Sequence, residues 1–144
     1  MLPAPLSLRD AEARDIPTLL QLEEDGMRDY AVALWGFWRP SNPAETFDVT
    51  GHQMVLSGTE TLGCIAMGWT PTHLALRKLY LAPKARNQGI GTHLLEHIWS
   101  VAQTRALPIR LRVLTTNPAL RFYQRAGYDI ESETSEHRYL VRTG

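Results

Sequence analysis

Leu79-Tyr80-Leu81-Ala82-Pro83-Lys84-Ala85-Arg86-Asn87-Gln88-Gly89-Ile90-Gly91-Thr92-His93-Leu94-Leu95 reads as a strand end, a short loop and the first turns of a helix. Leu79 and Leu81 are apolar at alternate positions, and Pro83 stops the strand because proline donates no ladder hydrogen bond. From Arg86 to Gly91 the chain is a loop whose two glycines keep side chains away from the backbone N–H groups. Ile90, Leu94, Ile98 and Val101, spaced by four, four and three, then mark one helix face. A glycine-flanked loop feeding a helix N-terminus points several N–H donors outward, with the helix dipole behind them. Arg86 adds a full charge and a planar fork beside that cup. The expected guest is a phosphate or pyrophosphate.

Spacing narrows the choice of ligand. A P-loop needs Lys followed by Ser or Thr after its second glycine, and Ile90-Gly91-Thr92 has no lysine. A dinucleotide fingerprint needs a third glycine where Leu94 stands, counting from Gly89. What remains is Arg-x-x-Gly-x-Gly, at Arg86, Gly89 and Gly91. A tight strand-to-helix turn without any ligand is the plainer reading of the same residues.

Length and charge bound the possibilities. A chain of 144 residues predicts a single domain, residues 1–144. That length suffices to bury roughly 68–70% of the unfolded surface. Charge is balanced, 15 Lys and Arg against 15 Asp and Glu, so no electrostatic footprint points to nucleic acid or an anionic membrane. No apolar run approaches the roughly 18 residues of a membrane span. Met1-Leu2-Pro3-Ala4-Pro5 lacks the basic residues and apolar core of a secretion signal. Cys64 is the only cysteine, so no internal disulfide can form, and a reducing, cytoplasmic setting is expected. Beside Leu62, Ile65 and Met67 it reads as a small buried hydrophobe, not a nucleophile.

The rest of the chain punctuates itself clearly. Residues 6–9 form a short strand, and Asp15 opens a helix with Pro17 in its first turn. Ile16, Leu19, Leu20 and residues 22–27 carry the amphipathic pattern to about Ala33. Trp35-Gly36-Phe37-Trp38-Arg39-Pro40 breaks the period, and Ser41 and Asn42 are cap candidates for a short second helix over residues 43–49. Residues 52–57 and 61–69 make a hairpin around Gly58-Thr59, and residues 73–81 return as the next strand. Its apolar positions, Leu74 and Leu76 and then Leu79 and Leu81, slip by one near Arg77-Lys78, which predicts a bulge and a bend. A helix over about residues 89–105 precedes a strand at 109–114. Asn117 caps a further helix with Pro118 at its first position and Gly127 just past its end. Strands at about 128–132 and 137–142 close the chain.

Strand, helices, three antiparallel strands, helix, strand, helix and two strands is an α/β or α+β order, with helices packed against one sheet. On the Arg86-x-x-Gly89-x-Gly91 loop and this order, the sequence resembles the GCN5-related N-acetyltransferase (GNAT) superfamily over nearly its whole length. A second match lies about 30 residues on: residues 117–128 are similar to the superfamily run Asn-x-x-Ala-x-x-x-Tyr-x-x-x-Gly-Phe. Here Ala119 stands one place early and Tyr128 replaces phenylalanine.

The resemblance implies a mixed, mostly antiparallel sheet of six to seven strands, about four helices and splayed central strands. It implies acetyl-CoA as co-substrate, no metal, and transfer of an acetyl group to a primary amine of a small molecule or peptide. Partners then exclude nucleic acid and membrane, and the chain acts as a monomer or homodimer. The cofactor site it implies comprises Leu79 and Leu81 along the pantetheine arm, Arg86, Asn87, Gln88, Gly89, Ile90, Gly91 and Thr92 around the pyrophosphate, and Asn117. The Leu81 N–H is the matching candidate to polarise the thioester carbonyl. Tyr123 matches the general acid: a phenol near ~10 is protonated at neutral pH and close to a thiol in acidity. A tyrosine on a helix's buried face also serves as core.

Some roles stay open. His73, Glu23, Glu24 and His137 are all conceivable bases for the amine, and the strand position where several relatives carry glutamate holds Arg77-Lys78. Trp35, Phe37 and Trp38 either plug the core or line the acceptor pocket. A coenzyme-binding sensor or partner-binding module of the same fold is an alternative function. A toxin-like transferase acting on charged tRNA would be expected to show a basic face, and the balanced charge speaks against it. Finally, His93-Leu94-Leu95-Glu96-His97 spells a zinc-hydrolase signature. Leu94 and Leu95 take the core side and turn His93, Glu96 and His97 outward, away from any cleft.

Overall fold

Alternation in the strands and four-residue spacing in the helices organise the molecule around one sheet. The computed structural model describes residues 2–144. In chain order these form β1 (Leu6–Asp10), α1 (Ile16–Trp35), β2 (His52–Ser57), β3 (Glu60–Trp69), β4 (Leu74–Leu81) and α2 (Ile90–Gln103). After them come β5 (Ile109–Leu114), α3 (Leu120–Arg125), β6 (Asp129–Glu133) and β7 (His137–Arg142). The seven strands lie in the order β1-β2-β3-β4-β5-β7-β6. Every neighbouring pair is antiparallel except β4 and β5, which run parallel.

Each face of the sheet has its own core. Ile90, Leu94, Leu95 and Ile98 of α2, with Tyr123 of α3, pack on Ile65, Leu74, Leu76, Ile109, Leu111 and Leu140. On the other face Leu19 and Leu22 of α1 pack on Met54 and Cys64, with Phe47 and Tyr80 at the margin. Burial of one such leucine or isoleucine contributes about 1.5–3 kcal/mol, so these two layers fix both helices. Cys64 is fully buried among them, and desolvation pushes its thiol up to about 12. Among the described residues no helix is long and apolar enough to cross a membrane.

The helices differ from expectation in three places. Among the described residues there are three α-helices instead of about four. Residues 43–49 make only a single 3-10 turn at Ala44–Thr46, because Phe47 and Val49 are drawn extended onto the Met54 and Cys64 layer. The helix expected from Pro118 starts at Leu120: the Asn117 side chain accepts the Ala119 N–H at 2.9 Å and closes a turn ahead of the helix. In turn α1 runs on to Trp35, two residues past the expected end, and stops where Gly36 takes a left-handed φ of 83°. Asp15 does stand at the head of α1, but its carboxylate is occupied by Arg9 at 2.7 and 2.8 Å, and this pairing holds it down at about 2.

Candidate active site

Strands β4 and β5 pair at Leu74–Ile109 and Ala75–Arg110 and then part. The expected bulge is here: Met67 of β3 faces Leu76 and Ala66 faces Lys78, leaving Arg77 without a partner. Two successive residues, Arg77 and Lys78, therefore turn to the α1 face, and Leu79 and Leu81 return to the α2 face. Ala82 N–H donates to Leu62 O on β3, so alternation turns the N–H groups of Leu79 and Leu81 to the edge that β5 has left. A cleft of about 750 Å³ fills the gap, walled by α1, β4, the loop before α2, β5 and α3.

One end of the cleft is the loop. Arg86, Asn87, Gly89, Ile90, Gly91 and Thr92 line it, with Asn87 and Gly89 in left-handed conformations at φ 61° and 80°. The Arg86 N–H donates to Pro83 O and the His93 N–H to Gly89 O, while among the described residues no acceptor meets the N–H groups from Asn87 to Thr92. A Cβ on Gly89 would meet nothing within 4 Å. The cup is therefore open, and its donors fit a bound anion such as a pyrophosphate.

Of the expected cup residues Gln88 falls outside the cleft, while Gly91 and Arg86 line it and also carry structural duties. Gln88 turns its amide back to Lys84 O at 2.8 Å and does not line the cleft. Gly91 is shaped by packing: a Cβ there would stand 2.9 Å from the Phe122 ring of α3. Arg86 spends two donors on backbone, Nε on Leu81 O at 3.2 Å and Nη2 on Asp25 O at 3.1 Å. It ties the end of β4 to α1 while its charge still borders the cup.

Tyr123 also lines the cleft, 8% exposed, its ring edge-on to Phe122 and Tyr128 at 5.2 and 5.7 Å. Desolvation pushes its phenol up to about 12, above the usual range. It is thus more weakly acid than an ordinary thiol near ~8.5, contrary to the expected match. The same desolvation acts on any thiol held in this interior, as Cys64 at about 12 shows, and it narrows the gap again. Asn117 lines the cleft beside it. Thr116 bridges to α1 by donating to Tyr30 O at 2.7 Å.

Of the four conceivable bases, Glu23 and His137 line this cleft. His73 lines a neighbouring cavity, and Glu24 points outward to Arg28 at 3.0 Å. Glu23 is buried, accepting Ser41 Oγ at 2.5 Å and Ser41 N–H at 3.1 Å, with Lys78 Nζ at 3.8 Å. His137 is lowered by burial and then by the charge of Arg112, so it is neutral at pH 7.

The aromatic segment is not a core plug. Trp35 and Phe37 are 40% and 49% exposed. Trp35 and Trp38 line the cleft mouth, where the Trp35 indole donates to Glu136 at 2.6 Å; Phe37 stacks outside on Trp35. The zinc-like motif lies on α2 away from the cleft, with His93 and Glu96 exposed and Glu96 accepting from Arg142 at 3.1 Å. Sequence reasoning took Ser41 only as a helix cap and gave no role to Arg39 or Arg112. For Arg112 the signal was present: Arg110 and Arg112 alternate with Leu111 and Val113 along β5.

Residues 50–130, more than half of the chain, match the family model described as an acetyltransferase (GNAT) domain. The chain belongs to the GNAT family. No curated protein sequence is similar to it. Solved structures share the fold at low identity. PaiA N-acetyltransferase from Thermoplasma acidophilum, in complex with coenzyme A, is 15% identical over 95% of this chain and 98% of its own, with a TM-score of 0.74. Arabidopsis thaliana Naa50, in complex with the bisubstrate analogue CoA-Ac-MVNAL, is 18% identical over 96% and 99%, at 0.73. An acetyltransferase from Thermus thermophilus is 20% identical over 99% of both chains, at 0.74.

Proposed function

We propose that this GNAT chain is an acetyl-CoA-dependent N-acetyltransferase acting on a primary amine of a small molecule or peptide. The observation that carries it is one cleft joining three features: the unpaired N–H groups of Asn87 to Thr92, the free edge of β4, and Tyr123. Acetyl-CoA supplies the acetyl group as a thioester. The loop donors and Arg86 hold its pyrophosphate, and Leu79 and Leu81 offer their free edge to the pantetheine amides as an added strand would. The Leu81 N–H faces the carbonyl oxygen and stabilises its developing charge. The amine nitrogen then bonds to the carbonyl carbon as the carbon–sulfur bond breaks. Tyr123 O–H gives its proton to the departing sulfur, and the proton released by the amine restores the phenol through solvent. The products are an N-acetylated amine and free coenzyme A. Coenzyme A in the Thermoplasma relative and a CoA–peptide conjugate in the Arabidopsis one support a thioester donor and an amine acceptor.

The test is a library of amines with acetyl-CoA, read by free-thiol release. Release dependent on at least one amine is expected. Coenzyme binding without release on any amine would leave the sensor function instead.

A further inference from the structure

The acceptor side of the cleft carries more positive charge than the chain can answer internally. The bulge in β4 turns Arg77 and Lys78 to the same face, where a regular strand would place only one of them. On β5, Arg112 stands opposite Tyr139 of β7 on that face. Arg77 and Arg112 line both the main cleft and an adjoining cavity of about 480 Å³. Each of the two cavities has one carboxylate, and each is already engaged. Glu23 is held by Ser41 and Lys78. Glu131 forks onto Arg110, at 3.0 Å from Nε and 3.1 Å from Nη2. Among the described residues Arg77 and Arg112 make no hydrogen bond or ion pair through their side chains. The chain has 15 acidic residues to place against its 15 basic ones, yet none is paired with Arg77 or Arg112 among the described residues. The Arg77 guanidinium also has a seat: it lies flat on Gly68 of β3, where a Cβ would come within 2.8 Å of it. Both side chains are exposed to solvent at the cavity walls, and two cations lining one cavity with no carboxylate of the chain against them favour an anionic guest there.

We infer that Arg77 and Arg112 are an anion clamp for the acceptor, so that the amine acetylated carries a carboxylate or another anionic oxygen group on the same molecule. Guanidinium forks suit this partner because they meet two oxygens at once. The inference rests on the acetyltransferase function and names its substrate class. The amine reaches toward Tyr123 while the anionic end stays on the sheet face that β5 and β7 form.

The experiment uses the full chain with acetyl-CoA and a series of ω-amino acids of increasing length. The matching primary amides, diamines and aminoalkyl phosphates serve as comparators, together with short peptides whose second residue is Asp or Lys. Acids are expected to exceed their amides and diamines in kcat/KM by at least about 10-fold at the best length. Arg77→Gln and Arg112→Gln are each expected to remove about 10- to 100-fold from the acid, chiefly in KM, with the amide and the KM for acetyl-CoA unchanged. The phosphates tell whether carboxylate or phosphate geometry is preferred, and the peptides whether the anion sits on a polypeptide. Equal turnover of acid and amide keeps the acetyltransferase function and overturns the clamp. So does an acid preference that survives in the double variant. If no amine is turned over, thermal stabilisation of the wild type by the amino acids but not by the amides keeps the clamp and sets the transferase function aside. Stabilisation by neither overturns the clamp.

Discussion

The two halves of β4 are built from similar residues and do opposite work. Leu74 and Ala75 are paired on both sides, with β3 and with β5, and they are ordinary sheet. Past Arg77 the strand keeps only β3, and its other edge faces a cleft. Leucines fill the α2 face in both halves, buried at Leu74 and Leu76 and half-buried at Leu79 and Leu81, so residue type does not distinguish them. The difference is one extra residue. The bulge lets the strand keep its core contacts while bending away from β5, and it leaves free N–H groups in a sheet that would otherwise have used them. A binding edge thus arises from ordinary strand chemistry interrupted once.

If the parted half serves a pyrophosphate-bearing donor, the largest effect should come from charge placed in the cup at its end. Gly89→Glu introduces a carboxylate at an open position. Two charges about 4 Å apart near a protein surface repel by about 4 kcal/mol, which lowers acetyl-CoA affinity by about a thousandfold. Titration calorimetry reads this directly. Gly89→Ala is the control, since it bears the same left-handed strain without the charge. Normal affinity in the glutamate variant would remove the cup from the site.

Next in size is Tyr123→Phe, which keeps the ring packing against Phe122 and Tyr128 and deletes only the hydroxyl. Turnover should fall by about 10²- to 10⁴-fold with acetyl-CoA affinity unchanged. The pH dependence has a definite sign. With the phenol pushed up to about 12 it stays protonated as pH rises through 8, 9 and 10, so it contributes no alkaline fall of kcat in that range. A wild-type alkaline limb near pH 9 that vanishes in Tyr123→Phe would contradict the burial of this group.

The parted half was more legible in the sequence than the walls around it. The slip from Leu76 to Leu79 located the bulge, because a strand that must keep one face apolar can change phase only by adding a residue. The cup could be read from Arg86, Gly89 and Gly91, yet the reasons behind those residues could not. Gly91 answers to a ring on α3, and Arg86 to carbonyls of Leu81 and Asp25, contacts that no local pattern encodes. For the same reason the aromatic segment resisted reading: whether Trp35 is core or cleft depends on Glu136, 101 residues away. The absent second helix, by contrast, follows from the pull of Phe47 and Val49 on a neighbouring layer, a tertiary effect that overrides cap signals at Ser41 and Asn42.

Two glycines of β3 lie one opposite each half of β4. Opposite the parted half is Gly63, where a Cβ would stand 2.2 Å from Tyr80 O and 3.1 Å from Leu81 Cα. Those are backbone atoms of the parted half of β4, which has β3 as its one remaining neighbour, and they cannot swing aside. Gly63→Ala should destabilise the fold by about 1–3 kcal/mol, a drop in Tm of roughly 2–4 °C for each kcal/mol. It should also weaken acetyl-CoA binding, because the edge of Leu79 and Leu81 must shift. A variant that melts like the wild type would mean the parted half is held from elsewhere.

The smallest effect belongs to Gly68, on the paired half opposite Ala75. The three atoms nearest a Cβ there all belong to the Arg77 guanidinium, at 2.8 to 2.9 Å, the far end of a flexible side chain. Gly68→Ala should therefore leave stability within about 0.5 kcal/mol, the range of changes away from packed or strained features. Acetyl-CoA affinity should be unaltered as well. What must change is the place of the Arg77 charge, which loses the flat backbone beneath it. The same one-carbon addition should thus act through the fold at Gly63 and only through a displaced cation at Gly68. Parallel thermal melts of the two variants make the check, and equal losses of Tm would erase the distinction between the halves of β4.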